Sequence, residues 1–128
     1  MKPLRHIVQV VKKPWGEERW FAHAKNYAGK ILYIRRGHRL SLQYHRKKDE
    51  TIYVDQGKLK LVLSAMPSSK KGLRKSQWPF HILGPGDSFH IPPRTIHRFE
   101  AVTACRLLEV SLGPLDDVVR LEDDYGRS

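Results

Sequence analysis

The chain reads as an all-β domain, a small sandwich or barrel with one short C-terminal helix. Three observations carry this reading. Apolar residues fall in short alternating runs, as where Leu59, Leu61 and Leu63 alternate with Lys58, Lys60 and Ser64. Turns rich in Gly and Pro punctuate those runs, among them Gln56-Gly57, Gly84-Pro85-Gly86-Asp87 and Pro92-Pro93. The 128 residues carry no dividing linker and no internal repeat, so 1–128 is expected to be a single domain.

Taken in order, His6 to Val11 reads as a first strand. Lys13 to Trp20 sets Pro14 and Gly16 around Trp15, a fixed turn leading into a strand, with Trp15 as a packing anchor. Gly29 to Arg35 is a further strand, ended by charge and Gly37. From Gly37 to His45 an extended run puts Ser41, Gln43 and His45 on one face and Leu40, Leu42 and Tyr44 on the other. Arg46 to Asp49 is a polar turn, and Thr51–Asp55 and Lys58–Ser64 pair around Gln56-Gly57. The stretch 65–77 is basic and punctuated, and reads as an exposed loop, with anion or nucleic-acid binding as its alternative role. Strands resume at Trp78–Leu83, Ser88–Ile91, Ile96–Val102 and Leu107–Ser111. In the third of these, His97, Phe99 and Ala101 share a side, opposite Arg98 and Glu100. Pro114 to Glu122 opens on Pro and acidic residues and carries an apolar pattern, which predicts the short helix.

Composition narrows the function classes. The single cysteine, Cys105, cannot close an internal disulfide, so the fold must rest on burial. No apolar segment reaches membrane length and no signal core follows the basic start, so the expected location is the cytoplasm. A formal net charge of +11 favours anionic partners: phosphorylated small molecules, acidic proteins or nucleic acid. Nucleic acid ranks last, because the basic residues lack interleaved aromatics on a readable strand face.

The chemistry concentrates in two stretches. A hairpin after Arg46–Asp49 returns Glu50 beside His45, and the segment Gly86 to His97 can bring His97 to the same place. Gln43, His45, Glu50 and His97 then form a mononuclear metal site. Two imidazoles and two oxygen donors suit a divalent ion, zinc foremost, with Mn, Fe, Co or Ni possible, and leave coordination positions for water or substrate.

These residues also carry a family likeness. Gly37-x5-Gln43-x-His45-x4-Glu50-x6-Gly57 resembles the first cupin motif, with Gln43 at its first histidine. Gly86-x5-Pro92-x4-His97 resembles the second, with Arg94 where that motif has glycine. From Lys12 to Arg127 the chain is similar to the isomerase domain of type II phosphomannose isomerases, through Pro14-Trp15-Gly16, Leu40 to His45, Ile91-Pro92, His97-Arg98, Glu109-Val110, Asp116 to Arg120 and Asp124 to Arg127. Lys47 departs from it, standing where the family has a histidine. The resemblance implies a cupin-type double-stranded β-helix (jelly-roll) barrel and metal-dependent interconversion of mannose 6-phosphate and fructose 6-phosphate. Such chemistry needs a base, for which Glu109 is the first candidate and Lys30 the second. It also needs a phosphate site, for which Ser41, Arg120 and Arg127 are the candidates. Leu40, Leu42 and Tyr44 need cover from the N-terminal strand and terminal helix or from a second subunit, and a homodimer is expected. The competing readings are a non-catalytic metal- or sugar-phosphate-binding cupin and a basic binder of nucleic acid or acidic proteins.

Overall fold

A computed structural model describes residues 2–65, 78–114 and 116–128, which form eleven strands and no helix. The strands are β1 (Gln9–Lys13), β2 (Gly16–His23), β3 (Ala28–Ile34), β4 (Leu42–Tyr44), β5 (Asp49–Gln56), β6 (Leu59–Ala65), β7 (Phe80–Leu83), β8 (Ser88–Ile91), β9 (Thr95–Ala101), β10 (Cys105–Leu112) and β11 (Val119–Glu122). All pair antiparallel, in a six-stranded sheet ordered β1-β2-β3-β10-β5-β8 and a five-stranded sheet ordered β11-β4-β9-β6-β7. Of the stretch 65–77 expected as a loop, Ala65 ends β6 and residues 66–77 lie outside the described residues.

Alternation explains the core. In β10, Cys105, Leu107, Glu109 and Ser111 are buried while Val110 and Leu112 face out. Leu107 sits opposite Leu32 on β3 and Val54 on β5, and all three are buried. Trp15, Leu32, Ile34, Ile52, Val54, Leu59, Leu61, Phe99 and Leu107 form one contiguous apolar cluster. Each large side chain fully buried there contributes about 1.5–3 kcal/mol. The core occupies one part of the space between the sheets, and polar side chains fill another. Where the chain crosses from β5 in one sheet to β6 in the other, Gly57 adopts φ +93, and a Cβ there would stand 2.2 Å from the Ala104 carbonyl oxygen. Only glycine fits that corner.

Several expectations are corrected. Thr51–Asp55 and Lys58–Ser64 do not pair, and no hairpin joins His45 to Glu50, because β4 and β6 lie in the five-stranded sheet and β5 in the six-stranded one. Pro114 to Glu122 is not a helix: a turn at 116–118 leads into β11, which pairs with β4 through Val119↔Tyr44 and Arg120↔Gln43. β-branched Val119 meets an open strand edge there, and ladder bonds override the helix signals. The first strand begins at Gln9 rather than His6, because its pairing with β2 starts at Gln9↔Trp20 and the residues before it are exposed. Leu40 and Leu42 are both buried within the chain, so neither requires a second subunit, and Tyr44 is half-buried. The exposed apolar residues instead include Phe21, Tyr53, Val110 and Leu112 on the six-stranded sheet.

Arg98, expected on a polar face, is 4% exposed. Its Nε donates to the Leu40 carbonyl at 2.8 Å, and its terminal nitrogens bind Glu122 at 3.1 Å and Asp124 at 3.0 Å. Arg39 adds a two-pronged contact to Asp124, at 2.6 and 2.9 Å. The C-terminal segment is thereby tied down along the five-stranded sheet. No helix among the described residues is long and apolar enough to cross a membrane.

Candidate metal centre

Gln43 on β4 faces His97 on β9 across the ladder, which places their side chains on the same sheet face. His45 follows β4 by one residue on that face. Glu50 enters from β5 of the opposite sheet. His45, Glu50 and His97 are all buried, and one ligand atom from each lies within 4.8 Å of the others. Glu50 Oε2 is 3.5 Å from His45 Nε2, and Glu50 Oε1 is 3.4 Å from His97 Nε2. The two rings stand 5.3 Å apart between centroids.

Backbone contacts orient both imidazoles. His45 Nδ1 donates to the Asp117 carbonyl at 2.5 Å, and His97 Nδ1 donates to the Thr95 carbonyl at 2.9 Å. A carbonyl oxygen only accepts, so each Nδ1 carries a proton, which leaves Nε2 as the ring atom turned toward Glu50. Both Nε2 atoms are buried without a hydrogen-bond partner. Burial favours neutral His45 and lowers its pKa, with Lys48 and His97 acting the same way and Glu50 opposing. Two unpartnered imidazole nitrogens aimed at a carboxylate in a buried space fit a cation between them. The N, N, O donor set suits a divalent transition ion. Gln43 lines the cavity beside them, and its Oε1 accepts from Ser41 Oγ at 2.7 Å while keeping a second lone pair.

A second polar cluster adjoins the first. The Lys48 ammonium lies 3.1 Å from Glu50 Oε2 and 3.0 Å from Glu109 Oε2, with all three residues buried. Burial would raise the Glu50 carboxyl, but the adjacent His97 imidazole and the Lys48 charge overcome this and hold it at about 2. Burial, then Glu50, pushes Glu109 above its ordinary value against the pull of Lys48. Burial would lower Lys48, yet Glu109 and Glu50 raise it, so it stays charged.

The remaining candidates line one cavity of about 270 Å³ with these groups. Lys30 faces inward from β3, 3.3 Å from Glu18 and 4.9 Å from the centre of the Trp20 ring. Ser41 lies deep, 1% exposed, and serves Gln43. Arg120 donates to the Ser128 carbonyl at 2.9 Å, while its buried Nε has no partner. Arg127 is held by Asp123 at 2.8 and 3.1 Å. Lys48 escaped the sequence reading because it sits in the run Arg46-Lys47-Lys48, which looks solvated. Its signal was strand parity, since a residue two before Glu50 shares Glu50's face. Asp117 and Glu18 carried no comparable signal.

Two facing antiparallel sheets with a His–Glu cluster between them define a cupin. The fold matches an RmlC-like cupin from Shewanella frigidimarina at TM-score 0.67 and 15% identity, covering 86% of this chain and 87% of that one. It also matches the capsular polysaccharide assembling protein CapF from Staphylococcus aureus at TM-score 0.75 and 14% identity, covering 91% of this chain and 35% of that one. Within that class the chain belongs to the mannose-6-phosphate isomerase C-terminal family, whose match spans residues 2–123. It is 29% identical over 125 residues to the mannose-1-phosphate guanylyltransferase RfbM of Salmonella typhimurium, covering 94% of this chain and 23% of that protein. The chain thus spans about a quarter of the length of that relative.

Proposed function

We propose that the chain is a metal-dependent sugar-phosphate isomerase that interconverts mannose 6-phosphate and fructose 6-phosphate. The observation that carries this reading is the junction of the two clusters. His45 and Glu50, which with His97 form the donor group, line the same cavity as the Lys48–Glu109 pair. Family membership supports the substrate class.

His45, Glu50 and His97, with Gln43 as fourth donor steadied by Ser41, would hold one divalent ion, zinc foremost. When bound, that ion supplies polarisation of a carbonyl oxygen and its neighbouring hydroxyl. Glu109 is the base. It takes the proton from carbon 2 of the aldose and returns it to carbon 1, while the hydroxyl proton passes from the oxygen on carbon 2 to that on carbon 1. A carboxyl raised above its ordinary value suits this work better than an exposed one. Lys48 stabilises the carboxylate form of Glu109 before the first transfer and after the second. Lys30, tied to Glu18, shapes the wall of the cavity instead. At the mouth, Arg120 offers its unpartnered Nε to the phosphate, and Arg127, braced by Asp123, stands beside it. The exposed apolar face around Val110 and Leu112 would be the contact of a homodimer.

The test is formation of fructose 6-phosphate from mannose 6-phosphate by metal-loaded protein, before and after a chelator. Turnover that the chelator abolishes and added metal restores is the expected result. Metal-loaded protein that binds the sugar phosphate without turnover would overturn the catalytic reading and leave a binding cupin.

A further inference from the structure

The connection between β10 and β11 touches the candidate metal centre at more than one point. The Asp117 carbonyl accepts the His45 Nδ1 hydrogen bond at 2.5 Å. The Asp117 carboxylate accepts three consecutive backbone N–H groups: Arg46 at 3.1 Å, Lys47 at 2.7 Å and Lys48 at 2.9 Å. One residue therefore holds both the ring of His45 and the turn that leads from His45 to Lys48 and Glu50. Gly113, at the start of the connection, adds a packing constraint. Its φ is +102, and a Cβ there would stand 3.1 Å from the Lys48 Cα. Backbone thus lies against backbone on this side of the turn.

We propose that Asp117 is the positioning residue that fixes the His45 ring and the 46–48 turn, and so sets the metal affinity of the site. This role rests on the metal-site reading of His45, Glu50 and His97. The logic is that of an outer hydrogen-bond partner. The carboxylate anchors Asp117, the anchored carbonyl selects the Nδ1–H tautomer of His45, and that tautomer presents the Nε2 lone pair. His97 serves as an internal reference, because the Thr95 carbonyl of its own strand holds it independently of Asp117.

Two measurements test the proposal on the full chain, with Asp117→Ala and with Asp117→Asn, which keeps one acceptor oxygen. Zinc alone is titrated into metal-free protein against a chromophoric chelator. The imidazole ¹⁵N shifts of His45 and His97 are recorded on the metal-free proteins at pH 8. The expected result is zinc affinity at least about tenfold weaker in Asp117→Ala, with Asp117→Asn between it and the unmodified chain. His45 passes to a mixture of tautomers while His97 keeps its own. Should Asp117→Ala not fold, Asp117→Asn is read by both measurements. Folded variants that bind zinc within twofold of the unmodified chain overturn the role, as does weaker binding with the His45 tautomer unchanged. An unmodified chain that takes up no zinc overturns the metal site itself and this role with it.

Discussion

Replacing Lys48 with Met removes the charge that two buried carboxylates share and keeps most of the side-chain volume. Lys48 is 4% exposed, Glu50 3% and Glu109 5%, with contacts of 3.1 and 3.0 Å from the ammonium. Removing one partner of a buried ion pair costs about 3–5 kcal/mol. Here Glu109 can take up a proton, since burial and Glu50 already raise it, and that escape keeps the loss near the lower bound. The expected deficit in metal-free protein at pH 7 is about 3 kcal/mol, a large part of the roughly 5–15 kcal/mol that stabilises a domain. For a chain of this size that lowers Tm by about 10 °C. The deficit also has a pH signature. A carboxyl whose folded pKa is raised contributes stability below its unfolded value of about 4.5 that is lost as pH rises through the folded value. The Lys48→Met deficit should therefore be smaller at pH 5 than at pH 8. Urea unfolding of metal-free protein at both pH values measures it. A deficit under about 1 kcal/mol, or one that ignores pH, would refute the claim that Lys48 offsets two buried charges.

Acid stability of the metal-free chain should depend on Glu50. Its carboxyl falls from 4.5 to about 2, a contribution of about 3 kcal/mol that is present above 4.5 and lost as pH falls toward 2. Glu50→Gln should flatten the acid limb of a urea-midpoint series between pH 5 and 3; an unchanged slope counts against the assignment. Arg94→Gly should stabilise. Arg94 is exposed at φ 64, and its N–H bond to the His45 carbonyl, 2.7 Å, survives the change. Leaving the left-handed region to glycine recovers about 1–2 kcal/mol against about 0.5–1 for added freedom of the unfolded chain. A urea midpoint that falls instead of rising would show that the turn is not strained.

The sequence made the four proposed donors legible because each lies in a run where spacing decides facing. Gln43 and His45 share parity in one strand, and the second motif brings His97 to the adjoining one. Parity grouped Glu109 with Leu107, and Lys30 with Leu32 and Ile34, and the structure turns both groups inward. Illegible were features that depend on a distant neighbour. The 114–122 segment carries honest helix signals, and nothing local reveals the open edge of β4 that makes it a strand. Arg98 looks like a solvated charge until Glu122 and Asp124 return from the far end of the chain. Asp117 reads as a helix-start acid, whereas its partners are the backbone N–H groups of a turn 69 to 71 residues earlier. Arg94 stands where the resembling motif has glycine, and the structure places it at φ 64, the left-handed region that glycine favours.

The donors come from different layers. Gln43, His45 and His97 belong to one sheet and its margin, whereas Glu50 belongs to the other, with Lys48 at its margin. A cation seated among them would act as a clasp across the barrel, gripping only after both halves have met. Partly folded chains would offer it nothing, so the melting temperature would serve as a gauge of free metal. At a hundredfold excess over the dissociation constant, the closed form would gain about 2.7 kcal/mol.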